Sequence, residues 1–345
     1  MTIPNNFETV VIDGDWLLYN ISSTCENSYI EVRDCETSIP QRYKNITEFR
    51  KTIPKDESST VRDDYIIDEK KELKSPTSFT TGVFSLKAKI EKIRRQSKAK
   101  KVIIALAGTS NFRDRIPLPV KYKGQRTSPK PLIYYDLRQY VEKHHVVDIA
   151  IDQEADDLLS INQYKNKDTA KSISCTLDKD NRSIPGYLYN PTSETITYIE
   201  GLGSFELDES TTKKKIMGYG RCFEYIQWIT GDPVDFYHPQ DLLSQKCIEN
   251  NQSNLTKVKK KLSATVVYKQ VKDFKTDKEW LKYINDLYYS WYKDLKWYKT
   301  WDGQLIKNVD YIDILQCYVD CVHMRRWDND RIDIRKVLKD QGIIK

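Results

Sequence analysis

Several features are missing from this chain. No CxxC occurs, and no second ligand pair accompanies Cys317, Cys321 and His323, so zinc is not assigned. The seven cysteines (Cys25, Cys35, Cys175, Cys222, Cys247, Cys317 and Cys321) are odd in number and irregular in spacing, which excludes a disulfide scaffold and suits free thiols in a reducing compartment. No apolar run reaches membrane-spanning length, and "MTIPNNFETVVIDGDWLLYN" has no basic stretch followed by an apolar core. A soluble, cytoplasmic protein without a membrane partner is expected. There is no internal repeat and no low-complexity tract.

What is present is charge in two distinct patterns. The 345 residues carry 56 Lys and Arg against 50 Asp and Glu, a formal +6. The bases are clumped, whereas the acids of interest sit in short, tight motifs. That combination suggests a polyanionic partner approaching an acidic, metal-loaded centre.

The chain is long enough for one large domain with an appendage, or for two domains. "FETVVID" predicts a buried strand ending at a turn through Asp13, Gly14 and Asp15. Residues 22–80, punctuated by Pro40, Pro54 and Pro76, read as an irregular insertion with mobile parts. Val83, Leu86, Ile90 and Ile93 are spaced as a helix, "VIIALA" as a strand, and Ile133, Leu137 and Val141 as another helix. "VVDIAI" and "KSISCTL" read as further strands with the helix opening at "DQEADD" between them, and "RCFEYIQWIT" reads as a helix. Strands alternating with helices predict an α/β fold around a mostly parallel sheet. From about residue 240 the pattern changes to helical stripes, Leu281, Ile284, Trp291 and Leu295 in one and Ile312, Leu315, Val319 and Val322 in another. These stripes read as core.

The acids follow strand ends. Asp13 and Asp15 follow one strand, Glu154, Asp156 and Asp157 a second, and Asp178 and Asp180 a third, while Asp232 and Asp235 follow a helix. The carboxyl ends of parallel strands share one sheet edge, so the acids should converge. Asp152 is a good N-cap and acids suit a helix N-terminus, but capping needs only one or two of the four acids in "DQEADD". A dense carboxylate cluster needs compensating charge, and oxygen ligands without His or Cys favour magnesium or manganese. Two such ions about 4 Å apart suit an in-line phosphoryl transfer.

The bases supply a substrate. Lys87 to Lys101 and Lys257 to Lys261 read equally well as solvated faces. The segment from Arg113 to Lys130 instead interleaves Arg113, Arg115, Lys121, Lys123, Arg126 and Lys130 with Phe112, Tyr122 and three prolines. Cations for phosphates and rings for stacking, placed after a central strand, predict a basic flap above the acidic edge.

Five motifs, "VIDGDWLLYN", "FRDRIPLPVKYKGQR", "EADDLL", "CTLDKDNRSIPG" and "GDPVD", resemble in order and rough spacing those of the flap endonuclease and 5′→3′ exonuclease superfamily, a PIN-like fold. Within it, the similarity is to the gene-six exonucleases of T-odd bacteriophages. It covers residues 8 to about 240. The resemblance implies a PIN-like nuclease domain over 1–240, its flap or arch at 108–131, followed by a helical DNA-binding region over 241–345. It implies that Asp13, Glu154, Asp156 and Asp157 hold one metal and Asp178, Asp180, Asp232 and Asp235 the other, both magnesium with manganese as a substitute. Lys123 and Arg126 would engage the scissile or terminal phosphate, Tyr122 would stack near the displaced end, and Asp15 would support the ligands from behind. Arg113, Lys121 and Lys130 complete the expected nucleic-acid contacts.

The implied activity is 5′→3′ hydrolysis of duplex DNA or flap ends, extending to the RNA strand of RNA–DNA hybrids, in phage-type replication or recombination within the host cytoplasm. No small-molecule cofactor is called for. Two rival readings remain: a PIN-like ribonuclease, and a catalytically inactive DNA-binding replication scaffold. Two departures stand out. Gly108 occupies the place of the acid that usually follows the second strand, implying a weakened metal site with Asp114 as a substitute to consider. "FYHPQDLLSQK" lacks the glycines of the family's helix-two-turn-helix, which puts duplex grip there in question.

Overall fold

The β-branched run after Phe7 supplies a strand buried along most of its length, and the sheet is built outward from it. The computed structural model describes residues 4, 6–35, 39–53, 65–210, 212 and 214–345. In chain order the elements begin with β1 (Phe7–Asp13), α1 (Gly14–Thr24), β2 (Glu26–Asp34), β3 (Pro40–Tyr43), α2 (Ile46–Arg50), β4 (Tyr65–Leu73), α3 (Ser78–Gln96) and β5 (Ala99–Leu106). Next come α4 (Tyr134–His144), β6 (Val147–Ile149), α5 (Ala155–Lys165), β7 (Ser172–Cys175), β8 (Gly186–Asn190), β9 (Thr195–Ile199), β10 (Ser204–Asp208), β11 (Lys215–Tyr219) and α6 (Arg221–Thr230). The last are α7 (Gln245–Glu249), α8 (Ala264–Val271), α9 (Asp277–Tyr292), β12 (Trp297–Lys299), β13 (Leu305–Lys307), α10 (Tyr311–Val322) and α11 (Ile334–Asp340).

The chain divides into two compact units. One comprises Met1–Asp15, Ile93–Ser128 and Val147–Lys345, the other Trp16–Lys92 and Pro129–Val146. The first unit holds a six-stranded sheet of order β6-β5-β1-β7-β8-β9, parallel throughout except for the antiparallel β9. The fold is therefore α/β with a mostly parallel sheet, as the alternation of strands and helices predicts. Asp13 lies in register with Ala105, and Ile12 with Cys175, so the ends of β1, β5 and β7 lie level at one edge. Leu159 of α5 seats against Val11 and Ala105, fixing the helix that carries the DQEADD acids to these strands.

A larger apolar core in the same unit joins Leu118 and Tyr122, Trp228 of α6, Trp280 and Tyr288 of α9, and Leu315 and Val319 of α10. The helical stripes after residue 240 thus share a core with residues that precede it, and the two units do not part at residue 240. Cys317 and Cys321 are buried in α10, and His323 just beyond it is held by the Glu224 and Asp330 carboxylates.

In the second unit β2 pairs antiparallel with both β3 and β4, the latter from Glu26↔Leu73 to Asp34↔Tyr65. Ile30, Val32, Phe49 and Ile53 form its small core. This corrects the expectation of an irregular insertion over 22–80, because the residues that looked merely polar are cross-strand partners. Arg33 pairs with Asp68 at 2.5 Å and Arg42 with Glu72 at 2.5 Å. Pro54 lies outside the described residues. Among the described residues no helix is long and apolar enough to cross a membrane.

Candidate active site

Four turns bring the acids together, and each has a local reason for its shape. Asp13 closes β1, where its Oδ2 accepts from Thr176 Oγ1 at 3.1 Å, tying the end of β1 to the end of β7. Past β7, Asp178 N–H donates to Thr176 Oγ1 at 2.9 Å and Asp180 N–H to Asp178 Oδ1 at 2.8 Å, a coiled turn that aims both carboxylates at the same space. Glu154 is the N-cap of α5, in a capping box with Asp157. Asp152 is not the cap: it has φ 52 and pairs with Arg115 at 2.6 Å. The fourth turn follows α6. Gly231 ends that helix at φ 65, where a side chain would strain the backbone and meet Tyr237 O at 2.5 Å. Asp232 and Tyr237 then exchange two backbone hydrogen bonds, at 3.1 and 3.2 Å, and Asp232 Oδ1 accepts from Val234 N–H at 2.8 Å.

The result is a concentration of carboxylates on one side of the sheet edge. Asp180, Asp232 and Asp235 each offer an oxygen within 4.8 Å of the others. Burial, with Asp178, Asp13 and Glu154 close by, holds the Asp156 carboxyl far above the usual range. Its Oδ1 is buried without any hydrogen-bond partner. Asp178 is pushed up to about 7 by burial and by Asp180. Burial also raises Asp235, with Lys123 opposing it. Desolvation opposes the charge of the partly buried Asp180 as well, yet Lys179 keeps it below the ordinary value.

Cations enter from two directions. From the basic segment, Lys123 pairs with Glu154 and lies 3.7 Å from Asp235, while Arg126 bonds Asp235 at 2.7 Å. The segment is stitched down by Lys123 N–H to Asp235 O at 2.9 Å and by Gln125 Nε2 to Val234 O at 2.8 Å. From below, Lys179 Nζ bridges Asp180 at 2.8 Å and Asp232 at 2.6 Å. Lys179 was visible between the two acids of "LDKD", but nothing in its spacing said which carboxylates it would reach. Asn111, which donates to Glu154 Oε1 at 3.0 Å, was equally hidden.

Several expected site residues lie elsewhere. Arg113 is corrected from a nucleic-acid contact to a buried strut: it forks onto Asp157 at 2.6 and 3.0 Å and donates to the carbonyls of Cys321 and His323 at 3.0 and 2.7 Å. Asp157 is likewise corrected, since its oxygens are taken by Arg113 and by the N–H groups of Glu154 and Arg325, at 3.0 and 3.1 Å. Burial opposes its charge, and Arg113 outweighs that and lowers its pKa. Tyr122, expected to stack on a displaced end, is 5% exposed with its hydroxyl on Asp235 Oδ2 at 2.9 Å. Lys121 stays outside, 5.0 Å above the Trp301 ring. Lys130, in the other unit, lies 4.6 Å from the Tyr134 ring. Asp15 accepts from Ala107 N–H at 3.0 Å, bracing the end of β5.

Gly108 has a packing reason. A Cβ there would stand 1.9 Å from Ala150 O, so the β5 exit passes too close to the β6 exit for any side chain. An acidic side chain could not be accommodated at this place, and Asp114, considered as its substitute, is exposed.

The chain is similar to flap endonuclease structures. A bacteriophage T5 D15 protein co-crystallised with metal ions matches over 97% of this chain and 99% of that one, with 11% identity and a TM-score of 0.45. A bacteriophage T5 D15 flap endonuclease variant, in a pseudo-enzyme–product complex with DNA and metal ions, matches over 97% and 98%, with 12% identity and a TM-score of 0.43. No protein-family model and no curated protein matches the chain.

Proposed function

We propose that the chain is a divalent-metal-dependent nuclease that hydrolyses phosphodiester bonds from 5′ ends of duplex or flap DNA, and of RNA paired with DNA. The observation that carries the reading is the convergence of Asp13, Glu154, Asp156, Asp178, Asp180, Asp232 and Asp235, with Asp156 Oδ1 buried and unpartnered. A carboxylate oxygen left without a donor in a like-charged cluster fits a cation ligand. The donors are all oxygens, which suits magnesium or manganese. Asp13, Glu154 and Asp156 would hold one ion, and Asp178, Asp180, Asp232 and Asp235 the other. Such ions supply Lewis-acid polarisation of the phosphoryl oxygens and lower the pKa of water.

The chain's own groups do the rest. Lys123 and Arg126, set on Glu154 and Asp235, are positioned to bind a phosphate at the cluster and offset charge that develops on its oxygens. Arg113 holds Asp157 and through it the α5 N-terminus, so that Glu154 and Asp156 keep their directions. Polarity, and a place in phage-type replication, rest on the motif resemblance, as does a DNA-binding role for residues 241–345. Digestion of end-labelled duplex, flap and hybrid substrates, with magnesium or with chelator, tests the activity.

A second reading is a protein that binds DNA without cutting it, favoured by Lys179, whose ammonium already bridges Asp180 and Asp232 and offsets part of their charge. It requires metal-independent binding and no cleavage at any magnesium concentration.

A further inference from the structure

Beside the Asp232–Asp235 turn lies a cavity of about 800 Å3 that phosphodiester chemistry does not use. Small-ligand pockets span roughly 300–1,000 Å3, so it is large enough for a nucleotide. Its lining includes Lys121 of the basic segment, Phe236 just after the acidic turn, Lys246 of α7, Lys261, and Trp301 between β12 and β13. The walls are tied together by Trp301 N–H to Leu118 O at 3.0 Å and by Gln252 Nε2 to Pro119 O at 3.3 Å.

The charge of this cavity is one-sided. Against three lysines stands one carboxylate, Asp241, which bonds Lys261 at 3.1 Å and accepts from His238 N–H at 2.8 Å. His238, also in the lining, is pushed down to about 3 by burial and by Lys261, and is neutral at physiological pH. Positive charge therefore remains for a polyanion.

Two rings complete the site. Trp301 is 44% exposed and Phe236 47% exposed, so neither is needed to fill the core. Phe236 also has φ 60, a left-handed conformation that glycine or asparagine adopts with less strain. The backbone geometry gives no reason for an aromatic residue there, and nearly half of its surface is open to solvent. A ring presented beside a cationic wall suits an unpaired base, whereas bases in a duplex are already stacked on one another.

We propose that this cavity binds single-stranded nucleotides adjoining the scissile bond, with bases stacked on Trp301 and Phe236 and phosphates held by Lys121, Lys246 and Lys261. The site deepens the nuclease reading and rests on it for where the scissile bond lies.

The test uses the full chain and fluorescence anisotropy in chelator, with a labelled blunt hairpin and the same hairpin carrying a six-thymidine single-stranded 5′ extension. Wild type should prefer the extended hairpin. Trp301→Ala should weaken binding of that hairpin about tenfold, Trp301→Phe should restore most of it, and blunt-hairpin affinity should stay within about twofold. Lys246→Ala should flatten the salt dependence on the extended hairpin by about 0.7 in log–log slope. Equal wild-type affinity for both hairpins, or an unchanged affinity of Trp301→Ala for the extended one, overturns the proposal. So does an equal loss on the blunt hairpin, which would mark a duplex grip. Cleavage in magnesium is scored separately: Trp301-dependent binding by a chain that never cuts sinks the nuclease reading alone, whereas cleavage without Trp301-dependent binding sinks the cavity alone.

Discussion

Replacing Arg113 with methionine should cost folding stability, and any loss of nucleic-acid affinity should follow from that. The Arg113 and Asp157 side chains are both 0% exposed and joined by bonds of 2.6 and 3.0 Å. Methionine roughly keeps the volume but leaves Asp157 buried with only backbone N–H donors from Glu154 and Arg325. It also strips donors from the carbonyls of Cys321 and His323. Removing one partner of a buried ion pair costs about 3–5 kcal/mol. Urea unfolding, followed by tryptophan fluorescence and far-ultraviolet circular dichroism, should read a loss of that size. The double variant Arg113→Met with Asp157→Leu removes both charges and should recover much of it, since a buried pair replaced by apolar groups is often near neutral. If Arg113→Met unfolds within about 1 kcal/mol of wild type while DNA binding collapses, the guanidinium faces nucleic acid and the strut assignment is wrong.

Gly108→Ala should destabilise the chain by about 1–3 kcal/mol through its clash with Ala150 O, and Gly108→Asp should not tighten metal binding; a stable aspartate variant with a lower magnesium requirement would refute this. Asp178 has a folded pKa near 7, above its unfolded value, so ionising it opposes folding. In chelator its contribution should raise stability as pH falls from about 7 towards 4, and either Asp178→Asn or saturating magnesium should abolish that part of the thermal-melting profile; identical profiles would contradict it. Lys123→Ala and Arg126→Ala should each lower turnover at saturating DNA by tenfold or more, and turnover at the wild-type rate would show that neither touches a reacting phosphate.

The sheet and its acidic edge could be read from the sequence because both depend on local patterns. Short β-branched runs such as "TVVID" and "VIIAL" can be little else than buried strands, and parallel order then brings their trailing acids together. What could not be read depends on pairing across sequence distance. Arg113 looks like its exposed neighbours until Asp157 and the carbonyls at the C-terminal end of α10 are folded against it, 44 to 210 residues away. The β2–β4 ladder joins segments whose charges lie on both sides of the alternation, so neither announces a buried face. Gly108 resembled a lost ligand because its true constraint, the Ala150 carbonyl, belongs to another strand exit. Phe236 carried no signal, since a left-handed φ at an aromatic residue is invisible before folding.

The most direct test of the central claim is metal binding and cleavage measured on the same preparation. Isothermal titration of manganese into wild type, Asp156→Asn and Asp178→Asn should show about two sites in wild type and a lost or weakened site in each variant. Cleavage of end-labelled duplex DNA in manganese should fall by at least a thousandfold in both variants, about 4 kcal/mol of barrier. DNA binding in chelator should survive. Unchanged manganese isotherms, or cleavage within a few-fold of wild type, would contradict the account.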